Sequence, residues 1–256
     1  MIAVKQMVTA LQMQLPVNRS VLFLVFLMIG LCAATVMSLG MGGVEISVRE
    51  VFVHLGQRIG VAEVGIDAFD ARILDSLRLP RIMRAIIIGA GLGLAGAVMQ
   101  SLFRNPIADP GIIGVSASAA LGAVSMIVAG HLILGGYYAA FGPYGVPVAA
   151  FGGAVLATVV ISILSRQDGR TDAAIMLLIG VAINAIAFAG VGVFTYMADD
   201  AQLRSLTFWQ MGALSGNGAT DLPALILMVL GITYLIRLGT PLNLFLLGEA
   251  KRAIWG

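Results

Sequence analysis

Charge is scarce in this sequence and cysteine is almost absent. Asp, Glu, Lys and Arg make up 11% of the 256 residues against 59% hydrophobic, with a mean hydropathy of +1.00. Soluble domains carry about 25% charged residues, so a water-soluble globule is excluded as a first reading. Cys32 is alone, which excludes an internal disulfide and a cysteine-based metal site within the chain. It reads as a small buried hydrophobe. The two lysines, Lys5 and Lys251, do not stand in the Gly-Lys-Ser/Thr loop that cradles nucleotide phosphates. If ATP drives this protein, another chain must bind it. The net charge of +2 is scattered and gives no nucleic-acid footprint. The long apolar runs hold none of the carboxylates or histidines that an ion-coupled carrier buries. His54 and His131 fall outside those runs and read as solvated loop residues, neither ligands nor catalytic bases.

What is abundant is uncharged apolar sequence. No Asp, Glu, Lys or Arg occurs in 21–40, 85–103, 111–130, 146–165, 173–198 or 222–236. Most of these runs reach the ~20 residues that a spanning helix needs. The last is shorter, contains Pro223, and extends to Leu238 if Arg237 snorkels. In hydrocarbon each backbone polar group must be paired within its segment, and the period-2 alternation of a barrel is missing. The expected fold is therefore all-α: a polytopic transmembrane bundle of six spans, one transmembrane domain over 1–256. The run at 21–40 is longer than a signal-peptide core of about 7–15 residues and reads as a retained anchor. A cytoplasmic N-terminus leaves eight basic residues inside and seven outside.

Between the spans lie several distinctive segments. In the exterior stretch 41–77, Glu45, Arg49, Glu50, Arg58, Glu63 and Asp67 interleave with Val51, Val53, Leu55 and Ile59, the pattern of a short amphipathic helix on the membrane surface. A basic collar, Arg78, Arg81 and Arg84, opens the second span, which starts near Arg81. Its other end breaks at Asn105-Pro106-Ile107-Ala108-Asp109-Pro110, where two prolines forbid a continuous helix. Interrupted apolar segments of this kind are where carriers place sites and gates. Gly91-x-Gly93-x-x-Gly96 formally matches a dinucleotide fingerprint but lacks the preceding strand. Gly89 and Gly93 read instead as a small-residue face for helix packing. Trp209, in the exterior segment 199–221, reads as an interfacial anchor.

Together, Arg78-Leu79-Pro80-Arg81, Gly89, Gly96, Gln100, the run Arg104 to Pro110, Gly114 and Gly122 resemble the signature of the iron-chelate and cobalamin (FecCD-type) family of ATP-binding-cassette importer permeases. Leu203 to Gly212, Leu242-Asn243-Leu244 and Leu247-Gly248-Glu249-Ala250 extend the likeness. The resemblance implies a homodimeric permease of ten helices per subunit in the cell inner membrane. Its implied partners are cytoplasmic ATPase subunits and a periplasmic substrate-binding protein; the chain itself is a transport subunit, not an enzyme, with no cofactor. By position, Arg78 and Arg81 resemble the arginines that dock the binding protein, where a guanidinium meets carboxylates. Asn105 and Ile107 resemble a cytoplasmic gate, whose second half, at Ala173 and Ala174, lacks a hydroxyl here. Gly248, Glu249, Ala250, Ala253 and Gly256, within a segment of about 239–256, resemble the coupling loop that seats on the ATPase. The stretch from Ala198 to Arg204 is similar to haem-importing members more than to siderophore or cobalamin ones. Arg204 either meets an anionic group such as a propionate or pairs with Asp199 or Asp200. The sequence stops at the coupling loop, so the expectation is a permease about four helices short, or alternatively a transport-inactive scaffold.

Overall fold

The structure is a computed structural model that describes residues 19–61, 65–167, 170–214 and 221–239. Its α-helices are α1 (Arg19–Gly40), α2 (Val48–Arg58), α3 (Ala68–Ile73), α4 (Leu79–Phe103), α5 (Val115–Leu134), α6 (Tyr138–Phe141), α7 (Gly145–Leu164), α8 (Ala173–Met197), α9 (Asp200–Met211) and α10 (Leu222–Arg237). Among the described residues the β-structure is a two-residue antiparallel ladder, Arg166–Gln167 against Arg170–Thr171, between α7 and α8. A helix lies at each of the six apolar runs, and the fold is a helical bundle. Phe23, Phe26, Ile29, Leu178, Phe188 and Leu230 all point outward from these helices, a surface that suits lipid or further helices and not water.

The described residues divide into two compact units, before and after the Met83–Arg84 boundary. In the first, Leu39, Ile46, Val51, Leu74 and Ile82 form a buried cluster. Helix α2 starts where Ser47 and Glu50 close a capping box: the Glu50 amide donates to Ser47 Oγ at 3.3 Å, and the Ser47 amide donates to Glu50 Oε2 at 2.8 Å. The Ser47 hydroxyl, then its amide, holds the Glu50 carboxyl below the ordinary glutamate range. Sequence pattern places α2 on a membrane surface, and the structure adds what its buried face meets. Val51, 1% exposed, packs on α1 and the Leu74 turn, while Val48 and Phe52 of the same helix stay exposed. His54 is not a solvated loop residue. It is 6% exposed, with Nε2 2.7 Å from Asp75 Oδ1, and Arg58 Nη2 meets the same oxygen at 2.9 Å.

In the second unit α5 and α7 form a close antiparallel hairpin. A Cβ on Gly122 would overlap the carbonyl of Ala149, and one on Gly153 the carbonyl of Ser118, so both positions are glycine because two backbones touch there. Ile113, Ala157 and Ile161 form the adjacent core, flanked by Met99, Phe103, Met176 and Ile183. At Gly91 a Cβ would meet Met228 and Ile232 of α10 in ordinary contact. Gly89, Gly93 and Gly96 meet nothing within 4 Å. The small-residue face read from Gly89 and Gly93 is thus open among the described residues, and Gly91 takes the helix contact.

Gly153→Ala should destabilise the protein by about 1–3 kcal/mol, because the α7 backbone must retreat from α5. Gly89→Ala should be neutral or stabilise by up to about 1 kcal/mol through helix propensity. Thermal unfolding of the two variants in detergent micelles checks the contrast.

Candidate functional site

The turn after α4 is built by its own side chains. Helix α4 stops in a Schellman arrangement: the Asn105 amide donates to Gln100 O at 3.2 Å and the Arg104 amide to Ser101 O at 3.3 Å. Arg104 occupies the left-handed position with φ 50°, where glycine is usual, at a cost of roughly 1–2 kcal/mol for an L side chain. Asn105 Oδ1 then accepts the Ile107 amide at 3.0 Å, an Asx turn across Pro106. Asp109 Oδ1 accepts the Gly111 amide at 2.6 Å and starts a 3-10 turn, Pro110–Ile113. The outcome is a stiff loop that carries an apolar tip, with Ile107 81% exposed. Of the two residues singled out here by sequence, Asn105 shapes the turn and Ile107 is what the turn presents.

The turn is anchored from behind. Gly114, at φ 83°, lies so close to α8 that a Cβ would sit 2.9 Å from both the Asn184 amide nitrogen and the Gly180 carbonyl oxygen. Reciprocally, a Cβ on Gly180 would sit 2.8 Å from Ile113 Cα. The third span therefore begins its α-helix at Val115 and not at Gly111. The second gate element read from sequence, Ala173 and Ala174, is the first turn of α8. Asp172 caps it by accepting the Ala174 amide at 2.8 Å and the Ile175 amide at 3.2 Å.

At the collar the two arginines part company. Leu74–Arg78 is a π-helical turn between α3 and α4, a widening that often marks a functional or strained position. It swings Arg78 inward, 9% exposed, where Nη1 donates to the carbonyls of Leu39 and Gly40 (2.9 Å to the latter) and Nη2 to Val44 O. This corrects the expectation that Arg78 presents a free guanidinium for docking. Its donors close the last carbonyls of α1. Arg81, three residues on, is exposed. Arg84, in the second unit, donates to Leu214 O at 3.0 Å and lies 3.5 Å from Asp221 Oδ2.

Arg204 is exposed on α9. Asp199 is engaged elsewhere, accepting the Ala201 and Gln202 amides at 2.9 and 2.8 Å in a capping box. An ion pair of Arg204 with Asp199 or Asp200 is not formed among the described residues. Beside α9 an open cleft of about 480 Å³ is lined by Tyr138, Pro147, Gln202, Ser205 and Trp209, so Trp209 faces a cleft wall. Gly248, Glu249, Ala250, Ala253 and Gly256 lie outside the described residues. No cluster of His, Cys, Asp or Glu that could hold a metal occurs among the described residues. The π-turn and the α8 anchor are not legible in the sequence: the first has no composition signal, and the second shows only as Gly114 and Gly180 standing far apart in sequence.

Residues 21–256 match the sequence model of the FecCD transport family. The chain is 44% identical over 139 residues to the hemin transport system permease protein HmuU of Yersinia pestis, covering 54% of this chain and 40% of that protein. It is 36% identical over 178 residues to the cobalamin import system permease protein BtuC of Halobacterium salinarum, covering 69% and 46%. The chain spans about half the length of the curated relatives it matches. A solved structure described as an inward-facing ABC transporter of metal-chelate type superposes with a TM-score of 0.71 at 28% identity, over 93% of this chain and 68% of that one.

Arg78→Ala should unfasten the end of α1 and the segment after it, losing about 2 kcal/mol or more, because Leu39 O and Val44 O lose the Arg78 donor while Gly40 O keeps the Ile46 amide. Hydrogen exchange should then accelerate across residues 41–58. Arg81→Ala should leave that exchange unchanged.

Proposed function

We propose that this chain, which belongs to the FecCD transport family, is the membrane-spanning permease of an ATP-binding-cassette importer that moves an iron chelate, haem by preference, across the cytoplasmic membrane. The observation that carries the haem assignment is the 44% identity to a hemin permease, above the 36% to a cobalamin permease. In this reading the chain catalyses no reaction; ATP is hydrolysed on a separate subunit pair, and a second copy of the permease completes the path. A periplasmic binding protein delivers the ligand to the end that carries Arg81, whose exposed guanidinium suits a carboxylate at a wet interface. Arg78 supports that surface from beneath through the carbonyls it holds. Arg204, exposed and without an acidic partner among the described residues, suits an anionic ligand group such as a propionate.

The opposite end faces the cytoplasm. There Ile107, an apolar residue held out by a stiffened turn, suits a constriction that closes by excluding water. The segment holding Gly248, Glu249, Ala250, Ala253 and Gly256 is the contact with the ATPase. The N-terminus lies on this same side.

Reconstitution with the ATPase and binding protein tests the proposal. Hemin-loaded binding protein should stimulate ATP hydrolysis and drive hemin into proteoliposomes, while a ferric siderophore and cobalamin should not. Arg81→Glu should weaken binding-protein docking roughly tenfold at low salt, about 1.4 kcal/mol. Uptake of cobalamin in place of hemin would overturn the substrate assignment alone. Absence of uptake for all three would overturn the permease reading.

A further inference from the structure

The two candidate gate elements, the Asn105–Ile107 turn and the start of α8, are far apart in sequence, yet the contacts behind them are continuous. Ile113 is 4% exposed, in a buried cluster with Ala157 and Ile161 against which Met176, Leu177, Ile179 and Ile183 of α8 pack, and a Cβ on Gly180 would sit 2.8 Å from its Cα. One residue later the backbones of Gly114 and Gly180 leave no room for a Cβ on either side. A further turn along α8, Asn184 Nδ2 reaches back to Gly111 O at 3.5 Å, a long bond, while its Oδ1 is buried with no hydrogen-bond partner among the described residues. The 3-10 turn is thus gripped at three successive levels of one helix. Packed backbones of this kind do not deform continuously; they either hold or disengage.

We propose that the segment 105–114 and α8 form one interlocked body, keyed by Gly114 against Gly180 and positioned by Asn184, so that the turn bearing Ile107 and the helix start at Ala173 and Ala174 move together. The inference rests on the gate reading above for its role in transport, but not for its geometry. A free loop at 105–110 would let one gate element open while the other stayed shut. The interlock forbids that: displacement of α8 carries Ile107 with it. Asn184 is a positioning residue here, acting through the Gly111 carbonyl and not through a transported ligand.

Nitroxides at Ile107→Cys and Ala174→Cys in a Cys32→Ser background, with the chain in nanodiscs, report the distance between the two elements. With the labelled chain diluted into an excess of unlabelled chain, so that one labelled copy is present per assembly, and unmodified elsewhere, the pair should give one narrow distance. Gly180→Ala, whose methyl is driven into Ile113, should broaden it, while Gly192→Ala, which meets nothing within 4 Å, should not. Where Gly180→Ala fails to fold, Asn184 carries the test. Asn184→Leu should broaden the distance at every pH. Asn184→Asp should be narrow at acid pH, where the protonated carboxyl donates to Gly111 O, and broad once ionised. A role for Asn184 in packing alone would give no such pH profile. A broad starting distance, an unaltered distance in Asn184→Leu, or a pH-independent Asn184→Asp would overturn the interlock. Hemin uptake by the same Asn184 variants without labels is read separately. A severalfold loss alongside broadening supports both the interlock and the gate reading, and broadening with full uptake supports the interlock while overturning the gate reading.

Discussion

A helix that ends at or near hydrocarbon leaves its last carbonyls and first amides with no water to turn to, and each stranded group costs several kcal/mol. The irregular segments of this protein are organised around that constraint. Arg78, 38 positions on from Gly40, caps the last two carbonyls of α1, Leu39 and Gly40, and ties Val44 O of the following segment to them. The Ser47–Glu50 box, the Asp172 cap and the Asp199–Gln202 box close the starts of α2, α8 and α9. The turn after α4 uses a Schellman closure, then Asn105, then Asp109, so that two prolines without amides pass through it with the Asn105, Ile107 and Gly111 amides satisfied. Side chains that look like functional features in the sequence are often engaged first in this accounting.

That engagement explains how the fold and the site divided in legibility. Span positions follow from the absence of charge over about 20 residues, a property each segment carries alone, and helices lie at all six runs. Partner choice is a property of pairs. Gly89 and Gly93 satisfy the small-residue pattern yet face open space, whereas Gly122 and Gly153, 31 residues apart, make the closest crossing. The burial of His54 is hidden for the same reason, because its partner Asp75 stands 21 residues on and enters through a π-turn. Family likeness fixed the turn at Asn105 to Pro110 as a place of interest. It said nothing of how Gly180 and Asn184 hold that turn, since the Gly114 contact is set by backbone proximity in three dimensions.

The collar illustrates why neighbouring like residues need not share a task. Arg78 and Arg81 are separated by less than one helical turn, but the wide turn before α4 sends the first inward and leaves the second exposed. A five-donor planar fork can bind several carbonyls at once, which a lysine ammonium does only as a point charge. The surface on which Arg81 stands is therefore as rigid as the cap beneath it.

The close crossing of α5 and α7 bears on how the chain assembles. Its touching backbones, Gly122 with Ala149 and Gly153 with Ser118, lie within about 35 residues of one another along the chain. Contacts so local carry little loop-closure penalty. During synthesis this hairpin can close as soon as its second arm has cleared the insertion machinery, before α8 exists. It then offers α8, arriving next, a finished wall against which to dock.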